Sequence, residues 1–150
     1  MAKPTVLVER HELGPFKLTD TEGIERADLE LYGIDHFCPS YTALVFLNAA
    51  QVPTEELTDE HESYAGSFSI FGHQRCSGDD GHCTTHPHLR RFDDRPSHPL
   101  TRAFKRVVIT DALRRAKTVE TVTLVVSGVV EEKQTKPLFS AEGAQIATFV

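Results

Sequence analysis

The run Val119 to Val130, VETVTLVVSGVV, constrains this chain most. Val122, Leu124 and Val126 recur at every second position, which places them on one face of an extended strand. Its β-branched side chains pack well on a pleated sheet and poorly in a helix. A strand of this kind has to be paired on its edges and covered on its apolar face, so the question is what the other residues supply.

They supply more strands. Thr5 to Glu9, TVLVE, is β-prone, and His11 to Pro15 is predicted to break it. From Ile24 to Ile34 the pattern alternates, with Ala27, Leu29 and Leu31 on one side and Asp28, Glu30 and Tyr32 on the other. That is the pattern of a half-buried strand. Gly33 to Ser40 is a turn-rich connection. Tyr41 to Ala49 is almost wholly apolar, as a central strand would be. Gln51 to Glu62 is acidic and contains Pro53, which predicts a solvated loop or one helical turn. In Tyr64 to Phe71, Phe68 and Ile70 face one way and Ser67 and Ser69 the other, while Gly66 marks a bulge or a close backbone approach.

Phe104 to Thr110 is predicted as a strand. Asp111 to Lys117 is predicted as a short helix with Asp111 as its N-cap and basic residues in its last turn. After a polar hairpin loop at Glu131 to Lys136, two short strands around Gly143 close the chain: Leu138 to Ala141 and Ala144 to Val150. Seven or eight strands, no long helix and no internal repeat predict an all-β fold, an antiparallel β-sandwich forming a single domain over residues 1–150.

The composition narrows the functions. A net charge of −6 argues against a nucleic-acid partner, which calls for a basic stripe. No apolar run approaches a membrane span. The opening MAKPTVLVER has neither the apolar core nor the cleavage site of a signal peptide, so the expectation is a cytoplasmic protein or a mature fragment.

The segment 72–101 stands apart. Gly72, Gly78, Gly81, Pro87, Pro96 and Pro99 make regular structure improbable there, and a loop longer than about 12–15 residues in a compact domain calls for a reason. Five of the eight His and two of the three Cys lie between His73 and His98. The spacings His73-x2-Cys76 and Cys83-x2-His86 let two ligands from one turn reach one ion. With His82 and His88 the candidate ligand set is His73, Cys76, His82, Cys83, His86 and His88. Imidazole with thiolate suits copper or zinc rather than magnesium or calcium. Copper is the first expectation and zinc the alternative. Bound metal would also order a loop that has no core of its own. No paired CxxC knuckles occur, and the only Met is Met1, so neither a zinc ribbon nor a blue-copper site with a thioether is written here.

Other readings of the same residues stand beside this one. Cys76 and Cys83 could close a local disulfide, and loop histidines are often simply solvated. His86, His88 and His98, next to Pro and Arg, fit that last description best. Asp79 and Asp80 read as a polar turn, or as partners for ligand imidazoles. Asp35-His36-Phe37-Cys38 holds a ligand-capable pair, His36 and Cys38, but Cys38, beside the apolar Tyr41 run, reads rather as a buried free thiol acting as a small hydrophobe. His61 reads as solvated. Arg90, Arg91, Arg95, Arg102, Lys105 and Arg106 could face an acidic partner, but such a run is more often a solvated strand edge. No nucleophilic triad, phosphate loop or paired-carboxylate site is found, and no catalytic residue is assigned.

Three segments resemble a known family. They are DHFCPSYTALVFLNAA (Asp35 to Ala50), YAGSFSIFGH (Tyr64 to His73), and KRVVITDALRRA followed by VETVTLVVSG (Lys105 to Gly128). Together they are similar to the C-terminal β-sandwich domain that follows the di-copper domain in molluscan hemocyanins, tyrosinases and polyphenol oxidases. Leu44 stands where that family's strand carries a basic residue. The resemblance implies a sandwich that shields or serves a copper oxidase. The family's oxidase chemistry belongs to a separate helical domain, so no catalytic residue carries over.

Three functions follow as expectations. One is a copper-binding sandwich that handles the metal or serves a partner oxidase. Another is a mononuclear copper enzyme with an open coordination position, acting on a small molecule. The third is a metal-free interaction domain with a Cys76–Cys83 disulfide, docking on an oxidase or on itself as a homo-oligomer.

Overall fold

The computed structural model describes residues 3–73, 92 and 101–150. Seven strands form two antiparallel sheets: β1 (Thr5–Leu13), β2 (Arg26–Ile34), β3 (Tyr41–Leu47), β4 (Tyr64–Ile70), β5 (Ala103–Val108), β6 (Val122–Val130) and β7 (Gly143–Phe149). One sheet has the order β1-β6-β3-β4 and the other β5-β2-β7. The expected sandwich is present.

β6 lies between β1 and β3, with Leu124 opposite His11 on one side and Val45 on the other. Its inward residues Val122, Leu124 and Val126 are fully buried against Leu29 and Leu31 of β2 and their neighbours. The outer face of β6 is covered as well. Val125 packs with Phe46, Ala49 and Leu57 in a second apolar cluster, which residues 49–63 fold over. This is why VTLVV is apolar on both faces. The Arg10 guanidinium fastens that flap, donating to the carbonyls of Val52 (2.5 Å) and Ala49 (2.9 Å). Within the flap, Thr54–Glu56 forms a single 3-10 turn, as the sequence suggested.

The β4 bulge expected at Gly66 is present. Val45 pairs with Gly66 but Phe46 pairs with Tyr64, leaving Ala65 extra. Gly66 has φ +149°, and a Cβ there would come within 2.7 Å of Val107 in the other sheet, so glycine permits the close approach of β4 to β5.

Four expectations need correction. His11 to Pro15 does not break β1 at Glu9: the strand runs on to Leu13, because Arg10 to Leu13 pair with Val125 to Val122 of the central strand. Asp28 is not on a solvated polar face. It is 1% exposed, held by Arg26 (2.9 Å) and Arg106 (3.5 Å). The helix α1 (Thr110–Ala116) has Ile109 at its N-cap without a side-chain bond, and Asp111 lies inside the first turn. Thr110 is committed instead to β2, its hydroxyl accepting the Ala27 N–H at 3.1 Å.

The last correction concerns Leu138 to Ala141, which is not a strand. Glu9 shares the inward face of β1 with Leu7, and its carboxylate accepts the N–H groups of Leu138 (2.7 Å) and Phe139 (3.3 Å), with His11 Nε2 at 2.9 Å. A side chain has taken the place of a strand ladder, leaving Leu138 and Phe139 buried.

Glu9→Ala strands two buried N–H groups and is expected to cost about 1–3 kcal/mol in urea unfolding. Val6→Ala, on the exposed face of the same strand, is expected to stay within about 0.5 kcal/mol. Equal effects from the two would remove the latch role of Glu9.

Candidate functional site at the neck of the 72–101 segment

The candidate ligands were expected between β4 and β5, and the described residues show how that segment leaves and rejoins the sandwich. Both ends meet at His36. The His73 N–H donates to the His36 carbonyl at 2.7 Å. On the return side, the His36 imidazole Nε2 bonds the Thr101 carbonyl. Because a carbonyl only accepts, Nε2 carries the hydrogen, which in the neutral ring leaves the lone pair on Nδ1. His36, a single residue in the connection from β2 to β3, thus gathers two points far apart in the chain.

Gly72 makes the exit tight. Its N–H donates to the Ser40 hydroxyl at 2.9 Å. A Cβ on Gly72 would run into the Cys38 carbonyl and lie 2.6 Å from the Ser40 nitrogen. These obstacles are backbone and cannot swing away. Beyond Gly72, the imidazoles of His73 and His36 meet edge to face with centroids 5.0 Å apart, and Phe71 packs on His73 at 5.4 Å. On the return side Arg102 donates to the Gly33 carbonyl at 3.1 Å and pairs with Glu142 at 3.5 Å.

The same connection carries Asp35 and Cys38, with Tyr41 at the start of β3. Asp35 accepts the Phe37 N–H and the Lys136 ammonium, both at 2.9 Å. Burial alone would raise its carboxyl. The bonds from Lys136 and Phe37, with the charges of Lys136 and Arg102, bring it below its usual range. Cys38 is a buried free thiol, as expected, with Sγ 3.8 Å from the Asp35 carbonyl. Burial first, then the negative charge of Asp35, push the thiol up to about 11. The thiol lies in the main apolar core with Tyr41, Phe68 and Ile70, where it packs as a small hydrophobe. Tyr41 lies alongside. Its buried hydroxyl has no hydrogen-bond partner among the described residues, and burial, then Cys38 and Asp35, raise its phenol above its usual value.

Of the six residues expected to bind metal, the structure places His73. Cys76, His82, Cys83, His86 and His88 lie outside the described residues, as do His98, Asp79 and Asp80. Among the described residues no three His, Cys, Asp or Glu side chains gather as a ligand set. His36, which the sequence offers with Cys38 as a ligand-capable pair, stands against His73 instead, and only tertiary structure brings the two together. His61 is half-buried rather than solvated, its Nδ1 2.7 Å from the Ser63 hydroxyl and its ring on Phe46. Lys105 and Arg106 do lie on an edge strand, but Arg106 is engaged with Glu30 and Asp28.

Comparison with protein-family models and with curated proteins finds no match for this chain. No helix among the described residues is long and apolar enough to cross a membrane.

Gly72→Ala is expected to destabilise the fold by about 1–3 kcal/mol, because only backbone movement relieves the overlap. Differential scanning calorimetry measures it, and an unchanged Tm would contradict the packing described. Cys38 is expected to resist thiol reagents until the chain is unfolded. Its raised value also makes stability pH-dependent in a defined direction. The unfolded thiol ionises near its ordinary 9.0 and the folded one near 11, so stability is complete below pH 9 and declines as pH rises toward 11. Cys38→Ala is expected to flatten that alkaline decline, as read in urea midpoints between pH 8 and 11.

Proposed function

We propose that this chain is a metal-binding β-sandwich taking copper, with zinc as the alternative, at the neck where His36 meets His73. One observation carries this reading: two imidazoles stand 5.0 Å apart at the root of the His- and Cys-rich segment. Two imidazoles on one tetrahedral ion, with metal–nitrogen bonds of about 2.0–2.1 Å, place their ring centres roughly 5 Å apart. The Nε2–H bond to Thr101 orients His36 in the way that an outer partner orients a ligand imidazole. Further ligands would come from Cys76, His82, Cys83, His86 and His88, which follow His73 closely in the sequence. Edge-to-face packing of rings gives the same spacing without metal, so metal titration separates the two readings.

The sequence resemblance to the domain beside di-copper centres makes a copper oxidase the partner class to test. Delivery or storage of copper for such an enzyme fits a sandwich to which no catalytic residue has been assigned.

Equilibrium dialysis against Cu(II) and Zn(II), followed by elemental analysis, is expected to give one ion per chain. His36→Ala and His73→Ala are each expected to weaken binding by about 10-fold or more. Cys76→Ser/Cys83→Ser is expected to abolish any thiolate charge-transfer band of the copper form. Absence of stoichiometric metal from the wild-type protein would sink the proposal.

A further inference from the structure

The His36 imidazole has two nitrogens, and the return end of the 72–101 segment commits one of them. Nε2 donates to the Thr101 carbonyl. A carbonyl has no hydrogen to give back, so the proton stays on Nε2 and the neutral ring keeps its lone pair on Nδ1. A metal ion binds a lone pair, so while this bond stands it can reach His36 only at Nδ1. The partner also draws the shared proton toward itself, which makes Nδ1 the better donor. In any histidine Nδ1 adjoins the ring carbon that carries the side chain, so its lone pair leaves on the main-chain side, whereas Nε2 is at the far end. The main chain of His36 is also where the exit of the segment is fastened, since its carbonyl accepts the His73 N–H at 2.7 Å.

The Thr101 carbonyl is itself held. Arg102, the next residue, donates to the Gly33 carbonyl at 3.1 Å and pairs with Glu142 at 3.5 Å. The Glu142 N–H in turn donates to the Tyr32 carbonyl at 3.0 Å. A Cβ on Gly33 would come within 2.5 Å of the Glu142 side chain, so glycine there leaves room for the carboxylate that Arg102 meets. Immediately afterwards Ala103 pairs with Ile34, and β5 begins. The grip of Arg102 on the end of β2 therefore sets where the Thr101 carbonyl stands relative to His36, three residues after Gly33.

Resting on the metal-binding reading above, we propose that His36 binds the ion through Nδ1, with the Thr101 carbonyl fixing the proton on Nε2 and Arg102 serving as the positioning residue that holds that carbonyl in place. The ion then lies on the exit side of the neck, beside His73, and not on the return side at Thr101. Arg102 takes no part in the coordination and acts through Thr101 alone.

Long-range proton–nitrogen correlation spectra of the full chain with isotope-labelled histidine read the ligand atom directly. In the metal-free protein His36 is expected to hold its hydrogen on Nε2. Added Zn(II) is expected to shift the Nδ1 signal while Nε2 keeps its hydrogen. Arg102→Ala is expected to let the hydrogen exchange between the two nitrogens and to weaken Zn(II) binding by about 10-fold or more. Arg102→Lys, which can still donate to Gly33, is expected to recover most of both. Zinc bound at Nε2, with the hydrogen on Nδ1, overturns the proposal and leaves the metal-binding reading standing. A folded Arg102→Ala protein with wild-type spectra and affinity removes the positioning role. The wild-type spectra decide the ligand atom even where Arg102→Ala fails to fold. If Zn(II) moves neither the His36 nor the His73 signals, the metal-binding reading fails, and this inference fails with it.

Discussion

The rest of the structure depends on the burial of both faces of β6. A strand in a two-layer sandwich ordinarily offers one face to the core and one to solvent. Val122 to Val126 have no solvent face, because Leu124 meets the other sheet while Val125 meets the flap. Several distant features follow from this one. Arg10 has to reach across the sheet to hold the flap down, since the flap covers apolar area that would otherwise be wet. β1 has to continue past Glu9, since β6 would otherwise present unpaired backbone at its centre. Asn48 ends β3 at φ +55°, and its side chain accepts the Glu120 N–H at 2.8 Å, which ties the start of β6 to the end of β3.

The alternating pattern made the strands legible. β2, β4 and β6 were each readable because their inward residues repeat at every second position, β3 because it is almost wholly apolar, and the Gly66 bulge because a lone glycine in a strand demands a reason. The failures share a cause, which is a polar side chain doing the work of backbone or of solvent. Asp28 follows the polar half of an alternating pattern and is nonetheless dry, because arginines from β2 and β5 close over it. Leu138 to Ala141 has the composition of a strand, but Glu9, more than a hundred residues earlier, accepts its N–H groups. No local pattern encodes such partners.

The same limit governs the candidate site. His73 was legible through its spacing to Cys76, a short-range signal. His36 was legible only as a partner for Cys38, because its relation to His73 and to Thr101 spans 37 and 65 residues and exists only once β3 and β4 have paired. Cys38 was read correctly because its surroundings are local: the apolar strand that follows it predicts burial, and burial predicts an inert thiol.

These elements connect through the turn Asp35 to Ser40. Its carbonyls and side chains receive the exit of the 72–101 segment, its return at Thr101, and the Lys136 ammonium from beyond β6. The chain therefore ties both ends of its His- and Cys-rich segment, which leaves edge strand β4 and rejoins edge strand β5, to the connection between the two sheets. Such a root fixes the position of the first imidazole whatever the following residues do. The pairing of β3 with β4 and the backbone contact at Gly72 hold the neck, so its geometry is set by the sandwich itself.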